Sequence, residues 1–197
     1  GSSEFGLKLD GTWKLPLVVG SYMTMNLAYS IKLKHVVLVD VFCIATGFLL
    51  RVIGGGVAVG VEVSHWLLLC TLFLALFLGF NKRRAELAAL GGEGSTRATL
   101  NDYNLTQLDQ MVTMIAACTI VCYALYTVDV DTVTKFPAGD RLVWSVPFVV
   151  FGLSRYLHLV QNQGGGESPT RILLGGDRWF LLALALWAGV IALGLFG

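Results

Sequence analysis

The 197-residue chain is 55% hydrophobic, 14% charged and carries a net charge of +1. A soluble domain carries about a quarter charged residues, and the mean hydropathy of +0.71 points to a membrane protein. The near-neutral charge excludes the basic excess of a nucleic-acid-binding protein.

The opening residues, Gly1 to Phe5, lack the basic and apolar regions of a signal peptide. A membrane-crossing helix needs about 20 mostly apolar residues. In chain order the segments 15–30, 36–59, 64–80, 108–128, 142–160 and 179–196 qualify or nearly qualify. They are too long and too uniformly apolar for the alternating strands of a membrane barrel, whereas a helix satisfies its own backbone in lipid. The expected fold is therefore all-α, a polytopic transmembrane helical bundle of about six spans forming a single membrane domain. Trp13, Trp66, Trp144 and Trp179 fall near predicted helix ends, as interfacial aromatic residues do. Cys43, Cys70, Cys118 and Cys122 all lie in apolar runs without CxxC or His spacing, and read as small buried hydrophobes.

Orientation follows from the basic residues. One set of connections holds Lys32, Lys34, Lys82, Arg83, Arg84, Arg97, Arg171 and Arg178; the other holds Lys8, Lys14, Lys135 and Arg141. The richer set is expected on the cytoplasmic side. It comprises a tight turn at 31–35 and two long loops, 81–107 and 161–178. Long loops on one face are where function concentrates. The chain then starts outside, which suggests helices upstream of it.

Ionisable groups inside spans are costly and mark functional or wet faces by default. Asp40 lies about one turn into the second segment. Arg51 follows 11 residues later, on nearly the same helical face as Gly47 but about 16 Å along the axis. That face lines a cavity, or these groups serve an interhelical contact. In Asn81-Lys82-Arg83-Arg84-Ala85-Glu86-Leu87, continuation of the helix puts Glu86 within reach of Lys82 and Arg83. Such a cluster suits a phosphate-bearing ligand, and equally a topological anchor. The same choice holds for Lys32, Lys34 and His35, beside Asp40. Arg97, Asp102, Tyr103, Asp109, Arg155, Tyr156 and His158 add polar groups on that side. His158 alone reads as interfacial. Walker A, GxGxxG, HExxH and GxSxG motifs are absent.

Taken together, the run Asn26 to His35 with Asp40, Gly47 to Arg51 and Gly54-Gly55-Gly56 resembles the decaprenyl-phosphate phosphoribosyltransferases, a branch of the UbiA-type polyprenyl transferases. Asn81 to Leu87 is similar to that branch's GKRxAEL motif, with Asn81 in place of Gly. Arg97, Leu100 and Tyr103 resemble its R-x-x-L-x-x-Y element. Leu153, Arg155 and Tyr156 are similar to its late helix, and Ser168-Pro169 with Asp177-Arg178 to its last cytoplasmic loop. Arg171 and Gly176 depart from that loop's usual acidic and basic residues.

The resemblance implies the C-terminal two-thirds of a bundle of roughly nine spans around a cavity open to the cytoplasm. The reaction it implies is transfer of 5-phosphoribose from phosphoribosyl diphosphate to a polyprenyl phosphate, with Mg²⁺ assisting, for cell-wall arabinan. It assigns Lys82, Arg83 and Glu86 to the donor site and Tyr29, Lys34, Asp40 and Arg51 to the cavity. Arg97 and Tyr103 would order the loop above it or touch phosphate. The superfamily's NDxxDxxxD metal motif has no match here, so the metal ligands are unknown and are expected upstream of residue 1. Two other readings stay open: a UbiA-type enzyme with an aromatic acceptor, and a transporter or structural membrane subunit.

Overall fold

A computed structural model describes residues 13–36, 38–89, 104–162 and 177–196. The expected segments all form helices. They are α1 (Lys14–Ile31), α2 (Val39–Val59), α3 (His65–Ala89), α4 (Leu105–Val128), the single turn α5 (Val130–Val133), α6 (Val146–Asn162) and α7 (Arg178–Phe196). Short 3-10 turns cover Leu33–His35 and Gly139–Ser145. Five stretches are long and apolar enough to cross a membrane: α2, α3, α4, the run from Gly139 through α6, and α7. The chain is thus a multi-pass helical membrane protein. The 18-residue α1 is not among those five.

Several boundaries differ from the sequence reading, α4 starting at Leu105 rather than 108 and α6 at Val146 rather than 142 among them. The second helix begins at Val39 rather than residue 36, because Leu33–His35 close a 3-10 turn first. The third helix runs on to Ala89, so Asn81 to Leu87 are helical rather than the start of a loop. Ala, Glu, Leu, Lys and Arg are all strong helix formers, and they carry the helix beyond its apolar part. At its other end α2 stops at Gly60, whose φ of +71° suits a left-handed cap.

Successive helices pack as antiparallel neighbours: α1 on α2, α2 on α3, α3 on α4 and α6 on α7, with α4 also touching α6. Their shared core holds Val41 and Ala45 of α2; Leu76, Phe77 and Phe80 of α3; Leu108, Val112 and Ile115 of α4; and Tyr156 and Val160 of α6. Phe77 and Tyr156 stack tilted, with centroids 5.3 Å apart. Large apolar side chains of α7, among them Leu181, Leu182, Leu184, Leu186 and Leu193, face outward. Lipid tails solvate such side chains as well as another helix does, so small residues set the close approaches. Hydroxyls and amides inside the helices bond back to carbonyls a turn earlier: Thr46 to Phe42, Thr71 to Leu67, Thr119 to Ile115 and Asn81 to Phe77. At the end opposite the basic residues, Tyr123 joins Ser145 at 2.7 Å and accepts from the Trp187 indole at 2.8 Å, tying α4, the 139–145 turn and α7.

Gly79 sets the α2–α3 spacing: a Cβ there would lie 2.6 Å from Val41 Cγ1. Gly79→Ala should destabilise the folded chain by about 1–3 kcal/mol through overpacking. Val41→Ala in the same chain should recover part of that loss. Thermal melts in detergent read both; an unaltered melting temperature in Gly79→Ala would mean the helices are not that close.

Candidate functional site

Except for Arg51, the charged side chains described below gather at one end of the bundle, and helix direction explains which sign sits where. At this end α2, α4 and α7 begin while α3 and α6 finish. Acids favour helix N-termini and arginines C-termini, because unsatisfied N–H groups and carbonyls leave partial charges there. Asp40 lies in the first turn of α2, Asp109 near the start of α4, and Asp177 immediately before α7. Arg83 and Arg84 lie in the last two turns of α3, and Arg155 in the second half of α6.

Each acid meets an arginine of the antiparallel neighbour. Arg83 Nε lies 2.8 Å from Asp40 Oδ2, with exposures of 2% and 1%. Arg83 also binds Glu86 on its own helix. Arg84 pairs with Asp109 and donates to the Val160 carbonyl at 3.1 Å, so one side chain fastens α3 to both α4 and α6. Arg155 lies 2.7 Å from Asp177, which also caps α7 by accepting from the Phe180 N–H at 2.8 Å. Asn104 caps α4 by accepting from the Thr106 N–H at 2.9 Å.

Some buried polar atoms at this end have no hydrogen-bond partner among the described residues. They are Asp40 Oδ1, the Asn81 carbonyl oxygen and the Tyr156 hydroxyl. Such atoms are costly to leave unsatisfied and mark places for water or a ligand group. The chain enters α2 through Leu38 at φ +66°, a conformation that costs a residue with a side chain about 1–3 kcal/mol. Two lysines are differently placed. Lys82 is exposed and Lys34 half-buried, and neither makes a hydrogen bond or ion pair among the described residues.

The residues singled out from the sequence therefore divide. Asp40, Arg83 and Glu86 form one contact, with Lys82 beside it on α3. Tyr29 and Lys34 belong to the same end, in the last turn of α1 and in the 3-10 turn packed between α1 and α2. Arg51 is not part of this group. It faces α1, donates to the Tyr22 hydroxyl at 2.6 Å and stacks 5.3 and 5.2 Å from the rings of Tyr22 and Phe48. Arg97 and Tyr103, like the 168–171 stretch, lie outside the described residues. Among the described residues no three His, Cys, Asp or Glu side chains come together as a metal site would require. The pairings of Arg84 with Asp109 and Arg155 with Asp177 escaped the sequence reading. The residues were visible, but contacts between helices leave no mark in spacing.

No protein-family model matches the chain, but curated proteins do. It is 34% identical over 194 residues to the decaprenyl-phosphate phosphoribosyltransferase of Mycobacterium tuberculosis, covering 96% of this chain and 63% of that protein. The same-named proteins of Corynebacterium glutamicum and Mycolicibacterium smegmatis are each 32% identical over 191 residues. The matches cover 96% and 94% of this chain and 56% and 59% of theirs. The chain is a homologue of the decaprenyl-phosphate phosphoribosyltransferases. It spans about 56–63% of the length of these relatives. The likeness covers nearly the whole chain, so the phosphoribosyltransferase homology takes in the Asp40, Lys82 and Arg83 cluster together with the helices that carry it.

Asp177 lies outside the spans. Its carboxyl is held below the usual range, first by the Arg155 guanidinium and then by the Phe180 N–H. The unfolded chain therefore binds this proton more readily. The stabilisation is complete above the ordinary carboxylate value of about 4 and disappears as pH falls through the lower folded value. Melting temperatures taken below about pH 5 should fall more steeply for the native chain than for Asp177→Asn. Equal slopes would take this pair out of the stability profile.

Proposed function

We propose that the protein containing this chain transfers 5-phosphoribose from phosphoribosyl diphosphate to a polyprenyl phosphate, with decaprenyl phosphate the acceptor its relatives' names suggest. The observation that carries this reading is the pair of uncommitted lysines, Lys34 and Lys82, at an end of the bundle where Arg83, Arg84 and Arg155 are already matched with acids. Placing that end in the cytoplasm of a bacterial inner membrane follows the excess of Lys and Arg there. The product would feed cell-wall arabinan synthesis.

The chemistry suits such a place. The donor is a water-soluble polyanion and the acceptor a phosphate on a lipid tail, so they meet only at the membrane surface. The bond from ribose C1 to the diphosphate oxygen breaks, with positive charge developing at the ring. A bond from C1 to an oxygen of the polyprenyl phosphate forms, and diphosphate leaves with the electron pair. The acceptor oxygen is already anionic and needs no general base. Catalysis then rests on holding the two phosphates apart from water at the right distance, and on neutralising the leaving group. Lys82 and Lys34 are assigned that role, with Tyr29, Asp40, Arg83 and Glu86 at the same end of the bundle. A magnesium ion, which the resemblance implies, finds no ligand set among the described residues, where Asp40, Glu86, Asp109 and Asp177 are each held by an arginine.

Lys82→Ala in the full-length protein should lower turnover about 10²–10³-fold, as loss of a charge-stabilising donor does, while the melting temperature stays close to that of the unmodified protein. The assay follows release of diphosphate from phosphoribosyl diphosphate in the presence of decaprenyl phosphate and Mg²⁺. Undiminished turnover would remove Lys82 from the site. Absence of turnover in the unmodified, membrane-reconstituted protein would reject the reaction.

A further inference from the structure

Three consecutive cations of α3 go to three different places. Lys82 is exposed and uncommitted. Arg84 is fastened to Asp109 and the Val160 carbonyl. Arg83 is 2% exposed and holds two carboxylates, Asp40 and Glu86. Two carboxylates already occupy this guanidinium. A phosphate reaching its Asp40 side would have to enter between α2 and α3. The Gly79–Val41 approach one turn earlier holds those helices together. Asp40 Oδ2 faces Arg83, while Oδ1 is buried with no protein partner, an acceptor available to a donor group that enters from elsewhere.

We propose that Arg83 is a positioning residue for the phosphoribosyl transfer inferred above. It touches no phosphate and acts by holding the Asp40 side chain in place through their buried contact, and it leaves contact with the donor phosphates to Lys82. This divides the roles of two neighbouring cations that sequence similarity treats as one motif.

The test is steady-state kinetics of the full-length protein in nanodiscs, with phosphoribosyl diphosphate varied at saturating decaprenyl phosphate. Lys82→Gln should raise the donor KM roughly tenfold or more, the loss expected for one charge-assisted contact. Arg83→Gln should lower kcat about tenfold or more with the donor KM within about threefold. Combined with Asp40→Asn it should cost no more than Asp40→Asn alone, because both remove the same contact. Arg83→Lys should restore part of kcat, and it replaces Arg83→Gln if that variant does not fold.

Arg83 variants that raise the donor KM as far as Lys82→Gln, or whose losses multiply with Asp40→Asn, would overturn the proposal. If the unmodified protein shows no turnover, the phosphoribosyl reading itself fails. The Asp40–Arg83 coupling is then read from melting temperatures of the single and double variants. Additive shifts there overturn the positioning role as well.

Discussion

The contact between Arg83 and Asp40 couples the two halves of the chain's chemistry. It joins the end of α3 to the start of α2, almost without solvent, where water cannot screen the charges. Removing either partner leaves a buried ion uncompensated, which typically costs about 3–5 kcal/mol. The other charged contacts at that end repeat its logic at more exposed positions. An acid at the start of one helix meets an arginine toward the finish of the next, and helix polarity places each sign before any side chain is chosen. An up-and-down bundle brings such ends together at one membrane face. The α2–α3, α3–α4 and α6–α7 junctions are thereby fastened at the polar end without polar groups being spent in the hydrocarbon.

That arrangement takes up Arg83, Arg84 and Arg155. Among the described residues it leaves Lys34, Lys82 and Arg178 without an ion pair at this end, together with buried acceptor atoms lacking partners. On the proposed function, a surface that handles phosphates would need both a rigid frame and uncommitted charge. Arg suits the frame because its planar fork binds two groups in a fixed geometry, and Lys suits the ligand because it follows a moving phosphate as a point charge. Arg51 lies outside this scheme. The Tyr22 hydroxyl and the faces of Tyr22 and Phe48 hold its charge against α1, well along the span from Asp40.

Much of this was legible in the sequence. Uniform apolar runs gave the helices, and the bias of basic residues gave the end at which they cluster. The spacing of Arg83 and Glu86 gave their contact once the helix continued through them. Hydropathy stops at Phe80, whereas helix-forming residues carry α3 on to Ala89, so the apolar run alone set its span too short. The arginine partners were out of reach for a different reason. Asp40 is 43 residues from Arg83, and Asp109 is 25 from Arg84. Nothing periodic links positions on separate helices. The same limit merged Lys82 with Arg83, since adjacent cations look alike until the direction each side chain takes from the helix is known.

Side-chain direction at these two positions is the most direct test of the account. Single cysteines at Lys82 and Arg83, placed in a background with the four native cysteines replaced, can be exposed to a membrane-impermeant thiol reagent in oriented vesicles. Lys82→Cys should label in inside-out vesicles and stay silent in right-side-out ones, while Arg83→Cys should label in neither. Equal labelling at both positions would contradict the buried Arg83–Asp40 contact on which the site is built.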